Sequence, residues 1–138
     1  DGTQAKFYFP TSIIRDNQNR NQLLVIDQYN DAIRTVAVSD GSVGTLRKSD
    51  SINGPRSLTQ NTAGDIFVTT YYAVYRINYN EKTITLVSGS QGTAGSRDGS
   101  LLNSLLYHPK ELIFIQTNKL LIADDENNKL RLLDLDED

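Results

Sequence analysis

The chain has 138 residues, 38% of them hydrophobic and 22% charged. That is the range of one ordinary globular domain, and it excludes a collagen-like or highly charged disordered chain. A net charge of -3 argues against a nucleic-acid partner, which normally meets a basic patch. No apolar run approaches the ~20 residues needed to span a bilayer, so no membrane insertion is expected. Cysteine is absent, which removes disulfides and thiolate metal sites. Methionine is absent as well, which is compatible with processing, and the expected setting leans towards extracellular or lumenal.

In chain order, residues 1–9 form a lead-in to Pro10. Four short strands are then predicted near Ser12–Arg15, Leu23–Ile26, Ala32–Val38 and Ser42–Arg47. A second unit opens at Pro55 and gives Arg56–Thr59, Asp65–Thr69, Val74–Tyr79 and Thr83–Ser88. A Gly- and Ser-rich connection over 91–108 leads to Pro109, and a third unit gives Glu111–Gln116, Lys119–Ala123 and Lys129–Leu135, without a fourth strand. Each predicted strand is a short apolar or alternating run bounded by turn formers.

The three units are in register. Asp27 is followed seven residues later by Arg34, and Asp124 by Arg131. Thr69 and Arg76 occupy the same places in the middle unit, and the Arg-to-Arg periods are 42 and 55 residues. A period in the forties with four short strands per unit is the signature of propeller blades. The second strands, such as Leu23-Leu24-Val25-Ile26, run apolar without a break, as expected where blades cover both faces. If Asn30-Asp31 and Asn127-Asn128 are two-residue turns, Asp27 lies directly opposite Arg34 and Asp124 opposite Arg131, each pair worth roughly 0.2–1 kcal/mol. The middle unit would turn at Tyr72-Ala73 with Thr69 facing Arg76, and an altered hairpin is expected there.

These motifs resemble the NHL-repeat family of β-propellers. Pro10, Asp27, Asn30, Ile33 and Arg34 fit its pattern, as do Pro109, Asp124, Asn127, Leu130 and Arg131. The lead-ins Asp1-Gly2, Ala5, Phe7 and Asp98-Gly99, Ser104, Leu106 match as well, and Gly41-Ser42-Val43-Gly44-Thr45-Leu46 is close to the family's closing strand. The resemblance implies an all-β fold of about three four-stranded antiparallel blades, a partial ring with the third blade lacking its last strand. The blades would span 10–50, 55–90 and 109–138, roughly half of a six-bladed ring closed by further blades or a protein partner.

The family's enzymes of peptidyl-glycine lyase type hold a metal with histidines. A catalytic zinc takes about three protein ligands, and His108 is the one histidine here. No Gly-x-Ser-x-Gly elbow or Walker loop is present. The acidic residues Asp124-Asp125-Glu126 and Asp134, Asp136, Glu137, Asp138 lack the alternating oxygen ligands of a calcium loop. No catalytic residue, cofactor or metal is therefore expected. The functional expectation is a non-catalytic scaffold for protein–protein interaction. The alternative is a fragment of a lyase-like propeller enzyme whose catalytic residues lie on other blades. Candidate contact loops are Asn30, Asp31, Tyr71, Tyr72, Asn127 and Asn128, while Asp27, Arg34, Arg76, Asp124 and Arg131 are structural repeat positions.

Overall fold

The computed structural model describes residues 1–136. Eleven strands form three antiparallel sheets in sequence order. The first sheet is β1 (Pro10–Arg15), β2 (Gln22–Asp27), β3 (Ala32–Ala37) and β4 (Val43–Lys48). The second is β5 (Leu58–Gln60), β6 (Ile66–Thr69), β7 (Ala73–Ile77) and β8 (Ile84–Gly89). The third is β9 (Pro109–Gln116), β10 (Lys119–Asp124) and β11 (Lys129–Asp134). Strand β5 lies against β1 on one side and β9 on the other, so the first strand of each sheet faces the inside of the arc. This is the arrangement of propeller blades, and the described residues do not close a ring.

Two cores hold the sheets together. Leu24, Ile26 and Ile33 of the first sheet pack on Leu58, Ile66, Val68, Tyr75 and Ile77 of the second. Phe67, Val74 and Val87 of the second sheet pack on Leu112, Leu120, Ile122 and Leu133 of the third, with Leu106 of the lead-in inserted between them. A side-chain period of two on each strand supplies one face to each seam. In β6 every residue is buried, because sheets cover it on both faces. Strand β10 instead alternates buried and half-buried positions, because its second face has no neighbouring sheet among the described residues.

The hairpins differ from the two-residue turns expected. Asp27 is paired with Ala32, and Asp124 with Lys129, so each loop has four residues. A 3-10 turn over Gln28–Asn30 is closed by Asp31 at φ 48°, and one over Asp125–Asn127 by Asn128 at φ 52°. Arg34 therefore stands opposite Val25 and reaches Asp27 diagonally along one face. The middle hairpin pairs Thr69 with Val74 and Phe67 with Arg76, so Arg76 does not face Thr69 and the turn is not Tyr72-Ala73. Arg76 grips Asp65 at the far end of β6, its Nε donating to Oδ2 at 2.9 Å. The middle hairpin thus keeps the register and four-residue loop of the other two, and it departs from them only in lacking the 3-10 turn.

The residue before each proline has positive φ: Phe9 at 59°, Gly54 at 61° and His108 at 51°. That conformation is rare for bulky residues and disfavoured before proline. It recurs in every sheet because the chain must bend sharply from lead-in to inner strand. At Gly54 a side chain is also excluded sterically, since a Cβ would lie 2.2 Å from the Tyr71 ring.

Candidate functional site

The site is built from the hairpin loops after β2, β6 and β10 and the starts of the inner strands beside them. In the first and third sheets a buried carboxylate organises the loop. Asp27 Oδ1 accepts from the Tyr8 backbone N–H at 2.6 Å, and its Oδ2 accepts from Asn30 Nδ2 at 2.8 Å and Arg34 at 2.9 Å. Asp124 repeats the arrangement, with Tyr107 N–H at 2.8 Å, Asn127 Nδ2 at 2.8 Å and Arg131 at 3.1 Å. Each arginine holds a second carboxylate from the lead-in, Asp1 on Arg34 at 2.7 Å and Asp98 on Arg131 at 2.8 Å. A buried ion pair is tolerable when its remaining donors and acceptors are satisfied, as they are here.

The loops also tie neighbouring sheets. Asp31 Oδ1 accepts from the Gly54 backbone N–H at 2.8 Å, and the Tyr71 carbonyl accepts from His108 N–H at 2.8 Å. Of the six loop residues singled out from sequence, Asn30, Asp31 and Asn127 thus have their side chains engaged within the fold. Asn128 supplies the left-handed turn residue and is exposed. Tyr71 and Tyr72 are half-buried and belong to an aromatic cluster that spans two sheets. Ring centroids lie 5.3 Å apart for Tyr71 and His108, 5.8 Å for Tyr72 and His108, and 4.9 Å for Tyr107 and His108. His108 Nδ1 is 3.8 Å from Glu126 Oε1. A second aromatic group stands on the first sheet, where Tyr29 lies 5.0 Å from both Tyr8 and Phe9.

Several functional-type residues here were not singled out from sequence. Arg56 places its guanidinium 5.1 Å from the Tyr71 ring centroid, a cation–π distance. Lys110 pairs with Asp125 at 2.7 Å, and Glu111 accepts from the Ser57 hydroxyl at 2.5 Å. All three sit within two residues of a blade-opening proline, and that shared offset was the available signal. Asp16 is a buried carboxylate that accepts from Gln60 Nε2 at 3.2 Å and from the Tyr79 hydroxyl at 2.8 Å, linking the first two sheets. Burial first, then the hydrogen bond to Asp16 and its charge, push the Tyr79 phenol up to about 12.

Among the described residues no group of three or more His, Cys, Asp and Glu side chains is gathered as a metal site. Glu137 and Asp138 of the acidic tail lie outside the described residues. No helix among the described residues is long and apolar enough to cross a membrane.

No protein-family profile and no curated protein matches the sequence. Solved structures do. An auxiliary nutrient binding protein from Bacteroides ovatus aligns at TM-score 0.80 and 15% identity, over 94% of this chain and 35% of its own. A protein of unknown function from Bacteroides thetaiotaomicron gives 0.73 and 16%, over 80% and 32%. Virginiamycin B lyase from Staphylococcus aureus gives 0.59 and 14%, over 98% and 44%. The chain therefore spans about a third to under half of these proteins. At such identities the likeness is one of fold, and it places the chain with propeller-like proteins.

Proposed function

We propose that the chain is a non-catalytic segment of an NHL-type propeller, serving as an interaction scaffold whose two open faces are covered by further blades. The observation that carries this is the uncovered face of the third sheet, where Leu130 is 71%, Ile113 58% and Leu132 57% exposed. At the equivalent positions in the first sheet Ile33 is fully buried and Ile14 half-buried against the second. Contiguous exposed apolar surface of this kind marks an interaction site, and stacked repeats bury such faces against each other. The outer edge of β11 has no partner strand among the described residues, whereas β4 and β8 close the other two sheets. The first sheet's free face, with Phe7, Ile13, Val25 and Val36 around a cavity of about 440 Å³, is the complementary trailing surface.

The hairpin rim with Tyr71, Tyr72 and Asn128 is the surface this scaffold offers to a protein partner, in an extracellular or lumenal setting. Loops on a rigid frame are where recognition is normally carried. The test is hydrogen exchange on the protein with and without a binding partner, alongside solution size. Protection over 71–72 and 128, and over β9 and β11 in the closed assembly, is the expected result. A monomer of these 138 residues that unfolds cooperatively and never buries Leu130 would overturn the reading. Bound zinc with turnover of a glycine-extended peptide would replace it with the enzyme alternative.

A further inference from the structure

The inner strands bring together charges that do not neutralise one another. Phe9, Thr11, Gln28, Arg56, Lys110 and Glu111 surround one cavity of about 300 Å³ at the inside of the arc. Arg34, Arg76 and Arg131 each grip a carboxylate, whereas Arg56 forms no ion pair among the described residues. Its Nε is buried without a hydrogen-bond partner. A buried polar atom left unsatisfied in a native fold calls for an explanation. The Thr11 hydroxyl donates to the Arg56 backbone carbonyl at 2.7 Å, and the guanidinium itself is held over the Tyr71 ring at 5.1 Å.

In the lining of the same cavity Glu111 is anchored by Ser57 at 2.5 Å, and Lys110 is already paired with Asp125 at 2.7 Å. Arg56 and Glu111 thus line one concavity with opposite charges and no bridge between them. A guanidinium is a planar fork matched to a carboxylate, and a carboxylate accepts readily from an ammonium. The cavity has the lower end of the volume range of small-molecule sites. Phe9, well exposed at its margin, adds an apolar surface.

We infer that this cavity binds a small zwitterion of the α-amino-acid type, its carboxylate on Arg56, its ammonium on Glu111 and its side chain against Phe9. This goes beyond the scaffold reading and does not depend on it, since that reading concerns the hairpin rim and the outer faces.

The experiment is titration of the protein, by calorimetry and amide NMR, with phenylalanine, N-acetylphenylalanine, phenylalanine amide and inorganic phosphate. Phenylalanine is expected to bind about tenfold more tightly than either singly charged analogue, because each end contributes a charge-assisted hydrogen bond. Arg56→Gln should weaken phenylalanine about tenfold, to the level of its amide, and abolish binding of the N-acetyl acid, with Arg56→Lys restoring part of both. Glu111→Gln should weaken phenylalanine and leave the N-acetyl acid unchanged. Thermal melts of each variant separate lost binding from lost folding. Phenylalanine binding undiminished by Arg56→Gln in a folded protein, no binding at all, or equal displacement by phosphate would each overturn the inference.

Discussion

The first and third sheets carry equivalent side chains on the face turned away from their own lead-ins, yet those faces meet different surroundings. Ile14, Leu24, Ile26 and Ile33 of the first sheet correspond, through the strand register, to Ile113, Leu121, Ala123 and Leu130 of the third. Ile33 is fully buried against the second sheet, while Leu130 is among the most exposed residues of the molecule. Sequence pattern therefore selects the face, and the neighbouring blade decides whether it is a core. The hairpin clamps behave differently. Asp27 and Asp124 have the same set of partners whether or not a neighbour follows, because those partners come from their own hairpin and lead-in.

That contrast can be broken at the clamps first. Asp27→Ala and Asp124→Ala should each cost about 3–5 kcal/mol, because each strips the acceptor from a backbone N–H and an amide and takes one of two carboxylates from a mostly buried arginine. Urea unfolding of both variants checks this. A large cost in the first sheet and a negligible one in the third would show that the clamp depends on the next blade after all.

The faces come next. Ile33→Ala should destabilise by about 2–5 kcal/mol, as truncations in packed cores do. Leu130→Ala, at an exposed position, should stay within about 0.5 kcal/mol. The same Leu130 substitution in a form that covers the third sheet should then approach the Ile33 value. Equal small effects in both forms would remove the case for a further blade on that face.

The strands and their grouping into three units were legible because short apolar runs, turn formers and a repeated Asp-to-Arg interval all pointed to one period. The turns were not. Asn30-Asp31 reads as a two-residue hairpin turn, but the Tyr29 N–H donating to the Tyr8 carbonyl and Asn30 reaching back to Asp27 favour a four-residue loop. The ion pair with Arg34 survives that change because a diagonal neighbour on one face is still within reach of a long side chain. Asp16 had no such local signature, and the offset of Arg56 from Pro55 marked its position without naming a partner. Their partners lie on other strands, so their roles exist only once the sheets are stacked.

The positive-φ residue before each proline was equally silent in the sequence, and it supports a sharper test between sheets. Phe9 and His108 carry side chains at that position, whereas Gly54 is closed off by the Tyr71 ring. Gly54→Ala should cost about 1–3 kcal/mol through overpacking. The double variant Gly54→Ala with Tyr71→Ala should recover part of that loss beyond additivity, as coupled neighbours do. Strict additivity would mean that backbone conformation, rather than the ring, demands the glycine.

The last test concerns one of the bonds that join the first two sheets. The Tyr79 hydroxyl donates to Asp16 at 2.8 Å, and Tyr79→Phe deletes that bond while keeping the ring. A net cost of about 1 kcal/mol is expected at neutral pH. The pH dependence separates this from a packing defect. Burial and the bond to Asp16 raise the phenol from 10 to about 12, so over that interval the folded chain keeps a proton that the unfolded chain releases. Stability from this group is therefore complete below pH 10 and declines as pH rises towards 12. Chemical denaturation at stepped pH should show the wild-type chain losing its advantage over Tyr79→Phe across that window. A difference that stays constant to pH 12 would assign the effect of the substitution to packing and leave the Asp16 bond without a share in holding the two sheets together.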